Sequence, residues 1–436
     1  MKKYIKKTYS YKMLAILILM AVVSSCKKEY ADPNAALADD VFGSSRGLTG
    51  VAVGLQKLYS AGRPGVYFSS VTANGFVTNE LFLTNAGNVP ELQLSTGGNS
   101  VDGTNAILAN LWANSNKIIF DADNVMANAP ALADKGYASG LIAYVSIFKA
   151  LAIGNMSQYW ERVPSGIGTN VSFITRVQGF TRAIAVIDNA LSVVAATPIS
   201  ANFLTNVPAG VDIQNTLYAL KARYALFAGN YTLALTAANS VDLTKRSSFN
   251  FDNLTFNPIF DIATSTGNVF QPMNANLGLT GIYVPDPADK RVPFYTVANA
   301  VAPLARLNGF FTSTTTAIPI YLPGEIILIK AEAYARQSTP DLGNALTQLN
   351  LVVTKQPAAD PFGVGAGLPA IVGPISQSDL LNLIYKHRSI ELYMSGLKLE
   401  DMRRFGLPNA DRKRNFFPYP FTERDNNPNT PADPAF

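Results

Sequence analysis

One histidine, His387, and one cysteine, Cys26, limit what chemistry this chain can do. A Ser-His or Cys-His dyad has no second base or thiol to draw on, and no dense cluster of zinc-ligating types exists. His387 falls beside Arg388 inside an apolar-periodic stretch, Leu380 to Met394, where packing or capping is its plainer role. Carboxylates remain, because glycosidic hydrolysis needs only an acid and a base or nucleophile. Their spacing promotes no such pair: Asp286 with Asp289, and Asp121 with Asp123, read as turn and helix-surface acids. Non-covalent sugar binding asks for something else, aromatic rings that meet C–H faces beside polar groups that meet hydroxyls. Tyr283, Tyr295, Phe310 and Phe311, with Arg306 and Asn308 between them, supply those types within one irregular stretch. Local core is the plainer reading of the same rings. Trp112 and Trp160 sit in or beside helical patterns and read as core or interface, and the stretch Thr84 to Thr104 holds amides but no ring.

Cys26 carries chemistry of another kind. Lys2, Lys3, Lys6, Lys7 and Lys12 precede an eleven-residue apolar run, Met13 to Val23, the plan of a secretory signal. As a helix that run rises about 16 Å, against about 30 Å of bilayer hydrocarbon, so it is too short to span comfortably. Val23-Ser24-Ser25-Cys26 resembles a bacterial lipobox. The resemblance implies cleavage before Cys26, acylation of its thiol and amino group, and stable anchoring by several chains. The chain then divides into a lipoprotein signal peptide (1–25), a lipidated tether (26–43) and a body (44–436). Of 35 basic and 30 acidic residues the signal holds five basic ones, so the mature chain is balanced at 30 of each. Its basic character belongs to the signal, which removes the electrostatic case for a nucleic-acid partner. With 48% apolar and 15% charged residues the body can bury a large core.

Helical periodicity organises that body. Apolar stripes predict helices from about Asn105 to Ala127, Lys135 to Tyr159, Phe180 to Val194, Gln214 to Phe227 and Tyr231 to Val241, with Gly229-Asn230 turning the last two into a hairpin. A second hairpin runs from Gly324 to Arg336 and on through Leu342, Leu346, Leu349 and Val352. Thr339 is the expected cap and Pro340 the first helical residue. Alanines line both hairpins, as in tetratricopeptide-type units of about 34 residues. The helical repeats cover about 105–241 and 323–406. Between them, about 245–320 is irregular with short strand-like runs at Gly281 to Val284 and Phe294 to Val297. Val66 to Gly103 and Phe362 to Ile375 look equally irregular, and 407–436 reads as a coil tail on the surface. The fold class is mainly α: irregular tetratricopeptide-like hairpins supporting a loop-rich subdomain with a few short strands.

The run Glu325 to Arg336, EIILIKAEAYAR, resembles a helix of SusD/RagB-type lipoproteins. Arg388, Glu391, Leu392, Gly396, Asp401, Arg403, Arg404 and Gly406 are similar to that family's arginine-rich helix, glycine turn and acid-hydrophobe-Arg-Arg sequence. His387 and Ser389 stand where the family has Glu and Arg, Ser395 where it has an acid, and Lys398 where it has Arg. The resemblance implies a SusD-like fold in which Glu325, Arg388, Glu391, Asp401 and Arg404 are structural ion-pairing residues. It further implies an outer-membrane, lipid-anchored nutrient-binding protein, most often for glycans or oligosaccharides, acting as lid of a SusC-like TonB-dependent transporter. No metal, cofactor or catalysis is called for. The alternatives are a tetratricopeptide-type peptide-binding scaffold, or uptake of peptides in place of glycans.

Overall fold

A computed structural model describes residues 41–265, 268–299 and 305–435. The signal peptide, Cys26 and nearly all of the tether lie outside the described residues. Ser44 caps the first helix, α1 (Ser45–Ser60), by accepting from the Gly47 amide. The next segment departs from the irregular reading of Val66 to Gly103. It holds a helix α2 (Val66–Val77), a strand β1 (Leu81–Leu83) and a helix α3 (Val89–Thr96). Every residue of α2 is buried, polar ones included. A helix surrounded by protein needs no polar face, so the periodicity that marks surface helices is missing from VYFSSVTANGFV.

The longer helices that follow obey their cap chemistry. Asn105 caps α4 (Ala106–Asn128), Asp134 caps α5 (Lys135–Tyr159), and Thr175 with Gln178 forms a capping box on α6 (Arg176–Ala196). Between α5 and α6 the chain makes a small antiparallel ribbon, β2 (Arg162–Pro164) with β3 (Phe173–Thr175). Then α7 (Ile213–Phe227) and α8 (Tyr231–Asn239) form the predicted hairpin. Its turn has both bonds of a Schellman motif, Asn230 N–H to Ala225 C=O and Gly229 N–H to Leu226 C=O. Gly229 sits at φ 76°, which only glycine adopts without strain.

The irregular segment contributes β4 (Ser248–Phe249), β5 (Phe270–Pro272), β6 (Thr296–Ala298), β7 (Ala305–Leu307) and β8 (Ile318–Pro319). Its strands pair antiparallel, β4 with β8 and β6 with β7 within the segment, while β1 with β5 ties the segment to the chain just past α2. The strand-like runs come out differently: Gly281–Tyr283 is a 3-10 turn, and Phe294 and Tyr295 close a short helix, Arg291–Tyr295, before β6 begins. The second hairpin pairs α9 (Pro323–Arg336) with α10 (Leu342–Val353). Its cap is Asp341, which accepts from the Asn344 amide, so Thr339 and Pro340 precede the helix. Last come α11 (Gln377–Glu391) and α12 (Lys398–Arg404).

Consecutive helices stack in an array, α4 on α5, α5 on α6, α6 on α7, α7 on α8, α8 on α9, α9 on α10 and α11 on both of the last two. At its centre α5 is long and apolar enough to cross a membrane, yet it is almost wholly buried in protein. Gly140 and Gly154 let it approach closely: a methyl group there would overlap the rings of Phe203 and Tyr224. One core joins α1–α8 to the irregular segment, and a smaller one fills the space among α9, α10 and α11. The tail is mostly coil, as expected, but it does not stay on the surface. Phe417 and Tyr419 are buried against Tyr159, Trp160 and Trp112.

Candidate functional site

Charged side chains from α7, α9, α11 and α12 hold the face that the irregular segment packs on. Glu325 accepts two bonds from Arg223, at 2.6 and 2.7 Å. Arg388 donates twice to Asp401, at 3.0 and 3.1 Å, and Arg404 bridges Asp401 to Glu332 at 2.7–2.8 Å. Burial alone would raise the Asp401 carboxyl, but Arg388 and then Arg404 outweigh it and hold it below its ordinary value. Glu391 takes Arg291 at 3.0 Å and Lys355 at 2.8 Å. Asp289, read from sequence as a surface or turn acid, is buried in this same cluster on Arg291. Burying an ion is costly unless it is paired, and each of these has an oppositely charged partner.

His387 completes the cluster. Arg291 cannot accept a hydrogen bond, so its contact with His387 Nδ1 at 2.8 Å makes that nitrogen the acceptor and leaves the ring neutral. Burial, and next to it the Arg291 charge, push the imidazole well below its usual range. The ring thus fills its place in the cluster without adding a charge to it.

The six candidate ligand residues fall in three places. Tyr295 is fully enclosed, donates to the Glu391 carbonyl at 2.5 Å and packs on Tyr393, while Phe311 is buried and Phe310 partly so. These three line a narrow cavity of about 60 Å³ that also meets Arg223 and Glu325, space for a few waters and not for a sugar. Arg306 lies in β7 and donates to the Thr264 carbonyl at 3.3 Å, and Asn308 donates to that of Pro293 at 3.2 Å. Neither lines the cavity or the clefts below. Tyr283 alone reaches an open cleft.

That cleft has a volume of about 600 Å³, within the range of small-molecule sites. Tyr283 stands edge-to-face on Tyr385 with ring centroids 4.8 Å apart, and its hydroxyl donates to Asn382 Oδ1 at 3.1 Å. Ile282, 67% exposed, extends the apolar wall, while Asn79, Asn274 and Thr280 add polar groups and Lys398 comes up from α12. Two turns shape the wall. Asn79 takes φ 60° just past α2, and Gly278 at φ 73° lies so close to the Asn79 carbonyl that any side chain would collide with it. Another cleft, about 370 Å³, holds Asn116, Asn170 and Glu423, but its one ring is compromised. Trp112 is 3% exposed there and its Nε1 is already donated to Glu423.

No protein-family model matches the chain, and no curated protein is significantly similar to it in sequence. Solved structures are. A SusD superfamily protein from Parabacteroides distasonis superposes with a TM-score of 0.69 at 15% identity, covering 90% of this chain and 99% of that one. A SusD-like carbohydrate-binding protein from Bacteroides fragilis gives 0.68 at 14% identity, covering 89% and 99%. The fold is SusD-like. A laminarin-binding SusD-like protein shares it at a TM-score of 0.60 and 14% identity, over 90% of this chain and 99% of that one.

Within this SusD-like fold, Tyr283 is the one sequence candidate that lines the cleft, and the cleft's other lining residues carry no sequence signal of their own except Asn79. Tyr385 was hidden as one apolar residue of α11, and Asn79 and Asn274 come from turns that meet only in the folded chain. Asn79 did carry a signal. Asn directly after a helix is a common left-handed stop, but it could be read only once α2 was known to be a helix. Arg291, Asp289 and Lys355, which complete the buried charges of the SusD-like core, come from outside the arginine-rich motif, and no spacing links them to Glu391.

Proposed function

We propose that this protein is a lipid-anchored, outer-membrane glycan-binding protein that hands oligosaccharide to a SusC-like TonB-dependent transporter as its lid. The observation that carries the reading is the open cleft beside Tyr283 on a SusD-like fold, where a ring and an exposed aliphatic wall stand among amides and a hydroxyl. Structures of this fold described as carbohydrate-binding and laminarin-binding support a saccharide over other solutes. The lysine-rich leader and Cys26 support the anchor. A lid needs a tether, a rigid frame and an irregular face, and the stacked helices with their buried ion pairs are the frame.

Binding without turnover is part of the reading. The lone histidine is buried, neutral and committed to Arg291. Among the described residues no cluster of His, Cys, Asp and Glu could hold a metal ion.

Binding of oligosaccharide and peptide panels to the purified protein, with end-product analysis of any bound glycan, tests the ligand class. Saccharide binding without cleavage is expected; peptide binding alone, or glycan turnover, would overturn it. Mild-detergent copurification from the native host should bring a large β-barrel protein with the intact lipoprotein, and a Cys26→Ser form should be released from the membrane. A chain that purifies alone, or a thiol found unmodified by mass spectrometry, would remove the lid or the anchor respectively.

A further inference from the structure

We propose that Lys398 makes the Tyr283 cleft selective for anionic saccharides, its ammonium group taking a carboxylate or sulfate on the sugar while Tyr283 takes a ring face. This rests on the saccharide reading of the cleft and narrows it to a ligand class.

Lys398 opens α12 and is 5% exposed, yet it lines the cleft. Among the described residues no hydrogen bond or salt bridge reaches its Nζ. That is unusual company for a buried lysine. Arg223, Arg291, Arg388 and Arg404, buried in the same part of the molecule, each hold at least one carboxylate. An ammonium group has three N–H donors and no acceptor, so one at a cleft wall with no acceptor from the protein suits an incoming anion. Arginine at this position would spread its charge over a planar fork; lysine concentrates it at a point.

Two acids must be weighed against this. Glu80 is 1% exposed and accepts from Asn74 at 2.7 Å. It interacts with Lys398 through space but forms no salt bridge with it, and burial raises its carboxyl to about 7, so it offsets the lysine only in part. Asp411 lies on the rim of the cleft and is exposed, where water and salt screen it. Burial lowers the Lys398 ammonium from its usual range and Glu80 works against that, and Lys398 is the one basic residue among those lining the cleft. An anionic group also satisfies N–H donors that a neutral hydroxyl could engage only weakly.

Calorimetric titration of the detergent-solubilised full-length protein with matched neutral, uronate-bearing and sulfated oligosaccharides tests this. Wild-type protein should bind one or both acidic members roughly tenfold more tightly than the neutral one, the gain of one charge-assisted contact. Comparing the uronate with the sulfate identifies which anion the site prefers. Lys398→Met should bring acidic and neutral ligands to within about twofold of each other, and Lys398→Arg should retain the preference. Equal wild-type affinity for acidic and neutral ligands overturns the proposal and leaves the saccharide reading standing, and that comparison needs no variant to fold. An acid preference that survives Lys398→Met in a protein with an unaltered thermal melt also overturns it. Failure of every saccharide to bind sinks both readings.

Discussion

Arg291 Nη1 donates to Glu391 Oε2 at 3.0 Å, with both side chains fully buried and a hundred residues of chain between them. This pair joins the irregular segment to the end of α11, and Lys355 reaches the other Glu391 oxygen from beyond α10. Removing the carboxylate leaves Arg291 with Asp289 and Lys355 with Asp360, each short of a partner. Glu391→Ala should therefore cost about 3–5 kcal/mol in urea unfolding, and Glu391→Gln distinctly less, since an amide still accepts from one cation. A loss below about 1 kcal/mol for the alanine variant would mean that the cluster does not hold these elements together.

His387 and Glu80 should give pH dependences of opposite sign. The His387 ring titrates well below 6.5 in the folded chain because it is buried and then because Arg291 faces it. Its contribution is therefore present above about pH 6.5 and is lost as pH falls toward the folded value, at up to about 1.4 kcal/mol per pH unit. Glu80 is raised from 4.5 to about 7, by burial first, with Lys398 opposing. Its contribution is complete below about pH 4.5 and lost as pH rises through 7. Denaturant titrations across pH 4–9 should show His387→Gln flattening the acid limb, and Glu80→Gln gaining on wild type as pH rises from about 4.5 to 7.

Tyr283 stands partly exposed on Tyr385, and its own hydrogen bond goes to Asn382 at 3.1 Å. Tyr283→Ala should weaken saccharide binding by about tenfold, the scale of one lost ring contact, while shifting the melting temperature by only a few degrees. Phe311→Ala, in the closed interior, should do the reverse, costing about 3–5 kcal/mol of stability. Calorimetric binding and thermal melts on the two variants separate a ligand contact from a core residue.

Both tryptophans report on the tail. Trp112 and Trp160 meet edge-to-face at 4.9 Å, Trp160 Nε1 donates to the Pro418 carbonyl at 3.0 Å, and Phe417 packs on Trp160 and Tyr159. Phe417→Ala should destabilise the protein by about 3–5 kcal/mol and move its intrinsic fluorescence to the red. Unchanged emission would show that the tail is not seated on the tryptophans.

Much of this architecture is written locally. The α7–α8 hairpin is legible because Gly229 and Asn230 stand where a Schellman stop needs them, and α4, α5 and α6 because caps and apolar spacing agree. The segment that became α2 was not legible: like α5 it has no polar face, but it is short, mixes Ser, Thr, Asn and Gly among its apolar residues and has no side-chain cap at its start. Tail residues Phe417 and Tyr419 were misplaced for a related reason: in coil, no period says which side chain turns inward.

Taken alone, the chain's residues determined the helical repeats, the lone-histidine and lone-cysteine limits on chemistry, and the concentration of the basic excess in the first 25 residues, because each is a matter of composition or of neighbours within a few positions. Tertiary structure decided the partners. Which carboxylate Arg291 finds, that Tyr295 and Phe311 face inward while Tyr283 faces a cleft, and that Lys398 forms no salt bridge all depend on contacts between elements far apart in the chain. A charge or ring has no local preference for one distant neighbour over another, so only the packed helices and the strands paired across them could choose.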